Sequence, residues 1–137
     1  MKAFPIEYLN EVVETQGKLF DYFSCEFPNM NISDFIINYM NSKTRKFIDE
    51  CQVYLSTMDY KDLYEYFINK DKYIPIEGET IDGFAPDWIG EFYAYYQWYY
   101  NMASCDVIKK VPLDFLKKAY HGLHDLELDL AVKKGGQ

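Results

Sequence analysis

Residues 83–102 read GFAPDWIGEFYAYYQWYYNM, and this stretch decides the fold. Pro86 suits the first turn of a helix, because its missing N–H would have no partner there and its φ angle is already helical. At 3.6 residues per turn, the aromatic side chains of this stretch cover about half of the circumference. So much apolar surface is stable in water only when other elements pack over it. The sequence therefore predicts a central helix over Pro86–Met102.

The opposite side of this helix is a narrow stripe of small and polar residues, namely Gly90, Ala94, Gln97 and Asn101. Two interpretations fit such a stripe. It is either the one side of the helix that faces solvent, or a place where a second backbone approaches closely.

Apolar residues recur at helical spacing in most of the remaining chain. The pattern predicts helices over Pro5–Phe23, over Asn31–Leu55 as one long or two short helices, and after Asp59, Ser104, Pro112 and Asp125. Residues 126–130 also alternate with a period of two, so a strand is the alternative there.

Residues 73–85 are the one long segment without helical periodicity. Pro75, Gly78 and Gly83 punctuate it, which is typical of an extended loop or of a two-stranded hairpin. Connections of this length often carry function. We therefore predict one all-α domain spanning residues 1–137. It is a bundle of about five to seven helices with one long irregular or hairpin-like loop.

The composition is that of a folded chain from a reducing compartment. Among its 137 residues, 14 Tyr, 10 Phe and 2 Trp make up an aromatic content of 19%, which excludes a disordered chain. Three widely spaced cysteines, at positions 25, 51 and 105, indicate reduced thiols. No apolar run reaches about 18 residues, and the first residues do not resemble a signal peptide. We expect a cytoplasmic protein that does not contact a membrane.

Acidic residues concentrate where the aromatic residues are. The formal net charge is −8, from 22 acids against 14 Lys and Arg, which argues against binding to nucleic acid. Between Lys72 and Lys109 there is no basic residue at all. The acids of this interval are Glu77, Glu79, Asp82, Asp87, Glu91 and Asp106.

This coincidence of acids and rings predicts a protein-binding surface. A buried tyrosine hydroxyl without a partner costs about 1–3 kcal/mol, so some of the tyrosines should reach the surface, where aromatic residues favour interfaces. Acids would speed the encounter with a basic partner and exposed rings would supply affinity. We therefore predict a non-enzymatic module that neutralises or regulates a basic partner protein. The predicted partner-binding residues are Glu77, Glu79, Asp82, Asp87, Glu91 and Trp98.

Two other functions are weighed against protein binding. An enzyme or small-molecule binder could use a tyrosine-lined pocket with Asp87, Glu91, His121 or His124 at its mouth. A nucleic-acid mimic could present carboxylates in place of phosphates. The sequence contains no phosphate loop, serine elbow or zinc-protease motif, and the two histidines lack further ligands nearby in sequence. We therefore assign no catalytic residue, cofactor or metal site.

One resemblance bears on the biological setting. The run GFAPDWIGEFYAYYQWYY at residues 83–100, with VPL at 111–113 and GLHDL at 122–126, resembles a group of small uncharacterised bacterial proteins. Members of that group are encoded in short toxin–antitoxin-like operons beside an ADP-ribosyltransferase-type toxin. The resemblance implies an antitoxin-like protein with a toxin as its partner, and it carries no catalytic residues over to this chain.

Overall fold

The computed structural model of the chain describes residues 3–135, and these are helical with irregular connections. A 3-10 helix at Ile6–Tyr8 precedes α1. The α-helices are α1 (Leu9–Glu26), α2 (Ile32–Met40), α3 (Lys43–Asp49), α4 (Val53–Ser56), α5 (Tyr60–Asp71), α6 (Ala85–Tyr99), α7 (Ser104–Lys110), α8 (Leu113–Leu123) and α9 (Leu128–Gly135). The predicted all-α class is confirmed. Residues 128–135 form a helix, so the strand alternative for the C-terminal segment is wrong.

The described residues contain nine α-helices, more than we expected, because the region between α1 and α5 is divided into three short helices. After α2, the side chain of Ser42 accepts a hydrogen bond from Arg45 N at 3.0 Å and so begins α3. After α3, Cys51 adopts a left-handed conformation with φ of 62°, which ends the helix. Local chemistry at these two positions overrides the continuous apolar periodicity.

Helix α6 lies at the centre of the molecule, as predicted. Its aromatic face is buried at Trp88, Phe92 and Tyr96, and the small stripe is buried as well at Gly90 and Gln97. The solvent-facing interpretation of that stripe is therefore wrong over the length of the helix, and the close-approach interpretation is confirmed.

Glycine makes the close approach of α1 and α6 possible. A Cβ on Gly90 would lie 2.6 Å from the carbonyl oxygen of Gln16 and 2.8 Å from the Cα of Gly17. Gln16 adds a hydrogen bond across the same contact, because its Nε2 donates to the Gly90 carbonyl at 2.8 Å.

Helix α6 ends at Tyr99, three residues before the predicted boundary. Asn101 has a φ of 52°, and two backbone bonds close the helix end around it. Met102 N donates to Gln97 O at 2.9 Å, and Asn101 N donates to Trp98 O at 3.2 Å. This is the Schellman arrangement, which asparagine tolerates better than most residues.

A buried ion pair joins four of the helices. Arg45 of α3 is fully buried and donates to Asp49 Oδ1 at 2.7 Å, to Gln16 Oε1 at 2.8 Å and to Gln97 Oε1 at 2.7 Å. Asp49 also accepts bonds from Gln97 Nε2 and, at 2.9 Å, from both the backbone N and the hydroxyl of Ser104 at the start of α7. Every charged atom of the pair has a partner, so the network fixes α1, α3, α6 and α7 in one arrangement.

No helix in the described part of the chain combines the length and the hydropathy that crossing a bilayer requires.

Candidate functional site

The long connection between α5 and α6 is extended, and we call its residues 74–84 the acidic segment. It pairs with the α1–α2 connection and not with itself: Asn31 N donates to Ile76 O at 2.8 Å, and Gly78 N donates to Asn29 O at 3.1 Å. A single antiparallel bridge joins Met30 and Glu77. Of the two predicted alternatives for residues 73–85, the irregular loop is therefore correct, and these residues form no hairpin.

Close packing at Gly78 and hydrogen bonds with Ser24 also hold the acidic segment in place. A Cβ on Gly78 would lie 2.5 Å from Asn31 Cβ, so only glycine lets the segment approach the residue that caps α2. Further along, the hydroxyl of Ser24 on α1 donates to Ile81 O at 2.8 Å and accepts a bond from the hydroxyl of Thr80 at 2.9 Å. The segment is thus attached near its middle and again before it enters α6.

The acidic segment exposes apolar and charged side chains together. Phe84 is 83% exposed and Ile74 is 78% exposed, the highest values among the large apolar residues in the described range 3–135. Between them, Ile76 is 49% exposed, and the predicted acids Glu77, Glu79 and Asp82 are all exposed. The segment contains no basic residue. Exposed apolar groups in an attached, acidic stretch are typical of an interaction surface.

Asp87 and Glu91 continue the acidic surface into the first two turns of α6, but they are only partly exposed. Both lie over Gly17 of α1: a Cβ there would lie 2.6 Å from Asp87 Oδ1 and 2.8 Å from Glu91 Cγ. Neither carboxylate has a hydrogen-bond partner within residues 3–135.

Partial burial raises the pKa of Asp87, and the negative charge of Asp21 on α1 raises it further. Burial is also the main cause of the raised pKa of Glu91, with the charge of Asp87 as the next contribution. The folded state therefore disfavours the charged form of both acids.

Trp98 lies apart from the other predicted residues. It is about 16 Å further along α6 than Asp87, at a rise of roughly 1.5 Å per residue. There it lines a surface cavity of about 540 Å³ together with residues of the N-terminal stretch, including Phe4 and Ile6. The structure thus places Asp87 and Glu91 in the first two turns of α6 and Trp98 near its other end, while the remaining predicted acids lie in the acidic segment before the helix.

Sequence analysis did not identify the exposed apolar residues of the segment or the cavity beside it. This cavity has a volume of about 410 Å³ and lies between α2, the end of α5 and Ile74. Within it, the hydroxyl of Tyr73 donates to Asp34 Oδ2 at 2.8 Å. Ile74, Ile76 and Phe84 were detectable in principle, because they are large apolar residues in a segment without helical periodicity.

The two histidines are exposed at the end of α8, and His124 contacts the neighbouring Tyr120. Its Nδ1 lies 2.7 Å from Tyr120 O, and its ring stacks on the Tyr120 ring with the centroids 4.5 Å apart. Within the described residues, no group of three or more His, Cys, Asp or Glu side chains is placed to hold a metal ion.

Comparisons with models of known protein families, with curated proteins and with solved structures each gave no match to this chain.

Proposed function

We propose that this protein is a non-enzymatic protein-binding module that docks a basic partner protein on its acidic segment. The observation that carries the proposal is that Phe84 and Ile74 are highly exposed at the two ends of the segment and that exposed acids lie between them. Apolar side chains this exposed favour aggregation unless a partner covers them.

The energetics favour a partner that is both basic and partly apolar. Covering an exposed phenylalanine or isoleucine is worth about 1.5–3 kcal/mol each. The acids Glu77, Glu79 and Asp82 would add orientation and a faster encounter more than affinity, and salt would weaken their effect. A nucleic-acid mimic needs its acids but not the apolar side chains that alternate with them.

Preorganisation also supports docking on this segment. Its backbone bonds to Asn29 and Asn31 and its contact with Ser24 are made without the partner. Little backbone entropy would therefore be lost on binding.

The consequence for the partner is neutralisation or regulation of its activity, which gives the protein an antitoxin-like role in the bacterial cytoplasm. The resemblance of residues 83–126 to proteins from toxin–antitoxin-like operons favours a toxin as the partner. That part of the proposal depends on the resemblance alone.

The test is affinity capture from the native host at low salt, with the wild-type protein and a charge-reversed variant as baits. The variant carries Glu77→Lys, Glu79→Lys and Asp82→Lys. We expect the wild-type protein to retain a basic protein that the variant loses because its three lysines repel that protein, and we expect high salt to lower the amount that the wild-type protein retains. Calorimetry with the purified captured protein then gives the affinity of each bait.

A matched control separates the effect of the segment from the effect of total charge. It reverses the same number of exposed acids outside the segment, with Glu11→Lys, Glu50→Lys and Glu65→Lys. This control should retain the partner. Equal loss from both variants, equal retention by both, or no basic protein captured by the wild-type bait would each contradict the proposal.

A further inference from the structure

We infer that the cavity beside the acidic segment receives a cationic side chain of the partner, preferably an arginine. The inference rests on the proposed function and specifies one contact of the docked partner. The cavity has a volume of about 410 Å³, ample for one long side chain. Ile74 belongs both to its lining and to the acidic segment, so a partner lying on the segment reaches the cavity.

Most hydrogen-bond donors that line the cavity are already used. Tyr73 donates its hydroxyl proton to Asp34 Oδ2 at 2.8 Å. The amide nitrogen of Asn38 donates to the Asp34 backbone oxygen at 2.8 Å and to Asp34 Oδ1 at 3.1 Å. The amide nitrogen of Asn41 donates to Ile37 O at 2.8 Å, and the Ser42 hydroxyl donates to a backbone oxygen of α2 at 2.6 Å.

Acceptors, in contrast, are left over. The side-chain oxygens of Asn38 and Asn41 accept no bond from another group within residues 3–135, and both residues are exposed, so solvent can reach these oxygens. Each carboxylate oxygen of Asp34 accepts one bond, although a carboxylate has about four acceptor positions in all. Asp71 binds the start of α3 through Lys43 N and Thr44. A ligand that replaces the solvent at these oxygens must therefore donate hydrogen bonds.

The charges of the lining favour a ligand with a positive charge. Two carboxylates, those of Asp34 and Asp71, line the cavity against one ammonium group, that of Lys72. The rings of Phe67 and Tyr73 stack on each other with their centroids 5.3 Å apart, but Phe67 is 0% and Tyr73 8% exposed, so Ile74 supplies the apolar surface that a ligand can touch. An exposed apolar side chain beside two carboxylates suits the alkyl stem and the cation of arginine. Arginine offers five N–H donors in a planar fork against three for lysine, so it matches the unpaired acceptors better.

The experiment titrates the full chain with N-acetyl-arginine methylamide while nitrogen–proton correlation spectra are recorded. The neutral analogue N-acetyl-citrulline methylamide has nearly the same shape and serves as the ligand control. We expect the arginine compound to shift the amide signals of Asn38, Asn41 and Lys72, and the citrulline compound to leave them in place.

Two substitutions in the lining change its charge in opposite directions. Lys72 has a φ of 56°, a conformation that asparagine tolerates, so Lys72→Asn removes the like charge without straining the backbone. It should tighten binding of the arginine compound about fivefold, and Asn41→Lys should weaken it by about the same factor. Asn10→Lys, an equal change in charge on the exposed face of α1, should have no effect.

The outcomes separate this inference from the proposed function. Equal binding of the citrulline compound, shifts confined to other residues, or no effect of Asn41→Lys would overturn the inference while leaving the capture experiment unaffected. The triple Lys variant of the acidic segment should still bind the arginine compound, because its cavity is intact. A peptide carrying arginine between apolar residues should shift the same signals as the amino-acid compound. If only the free compound does so, a small metabolite and not a partner side chain is the ligand.

Discussion

Replacing Gly90 with alanine tests the contact on which the position of α6 depends. The added Cβ would lie 2.6 Å from the Gln16 carbonyl oxygen and 2.8 Å from Gly17 Cα, distances that real Cβ atoms essentially never show. Both neighbours are backbone atoms of α1, so no side chain can move aside. The two helices must separate by most of an ångström, which weakens dispersion contacts along their whole interface.

The expected magnitude is the balance of two terms. Forcing an extra carbon into a closely packed interior costs about 1–3 kcal/mol, and the strained bond from Gln16 Nε2 to Gly90 O adds to this cost. Alanine in a helix interior regains about 1 kcal/mol over glycine, so the net destabilisation should be about 1–2 kcal/mol.

Gly122 provides the matched control. It lies within α8, and a Cβ there would meet no atom within 4 Å. Gly122→Ala should therefore show only the gain in helix propensity, about 0.5–1 kcal/mol. Urea unfolding followed by far-ultraviolet circular dichroism measures both free energies of unfolding. If Gly90→Ala is as stable as Gly122→Ala, the close approach of α1 and α6 is not what the structure describes.

Three further predictions concern the buried ion pair, a helix end and the half-buried acids. Asp49→Ala should lower the free energy of unfolding by about 3–5 kcal/mol, because Arg45 keeps a buried charge without a carboxylate; a loss below about 1 kcal/mol in urea unfolding would contradict this. Cys51→Gly should raise the stability by about 0.5–1 kcal/mol, since the left-handed conformation is strained for a residue with a Cβ. A lower urea midpoint for this variant would count against the argument. Asp87→Asn and Glu91→Gln should each be more stable than the wild type at pH 7, because a raised pKa means that the folded state disfavours the charged form. The gain should vanish as the pH falls below the ordinary pKa values of 3.8 for Asp and 4.5 for Glu, where both states are protonated, and a gain that persists in acid would refute it.

The elements that could be predicted from sequence are those whose cause is local. The aromatic periodicity of residues 86–99 is enough to require a buried helix, and Pro75, Gly78 and Gly83 are enough to prevent one between α5 and α6. The helix end at Asn101 and the division of α2 from α3 depend on single residues within periodic stretches. The preference of one residue for ending a helix is a weak signal within an apolar pattern that extends over several turns.

The parts that could not be predicted depend on residues far apart in the chain. Arg45 lies in a polar stretch that looks solvent-exposed, and its burial becomes possible only because Gln16, Asp49 and Gln97 converge on it. The cavity beside the acidic segment likewise joins α2 to residues that follow α5. The acids of the segment could be found from the sequence, because the absence of Lys and Arg between Lys72 and Lys109 is visible without any structure.

Hydrogen exchange of the free and the partner-bound protein tests the central claim most directly. The basic protein captured by the wild-type bait is added, and amide exchange is compared across the described chain. We predict slower exchange at residues 74–84, with the greatest change at Glu77 and Phe84, and unchanged exchange around Trp98. Protection near Trp98 with no change at residues 74–84 would contradict the account.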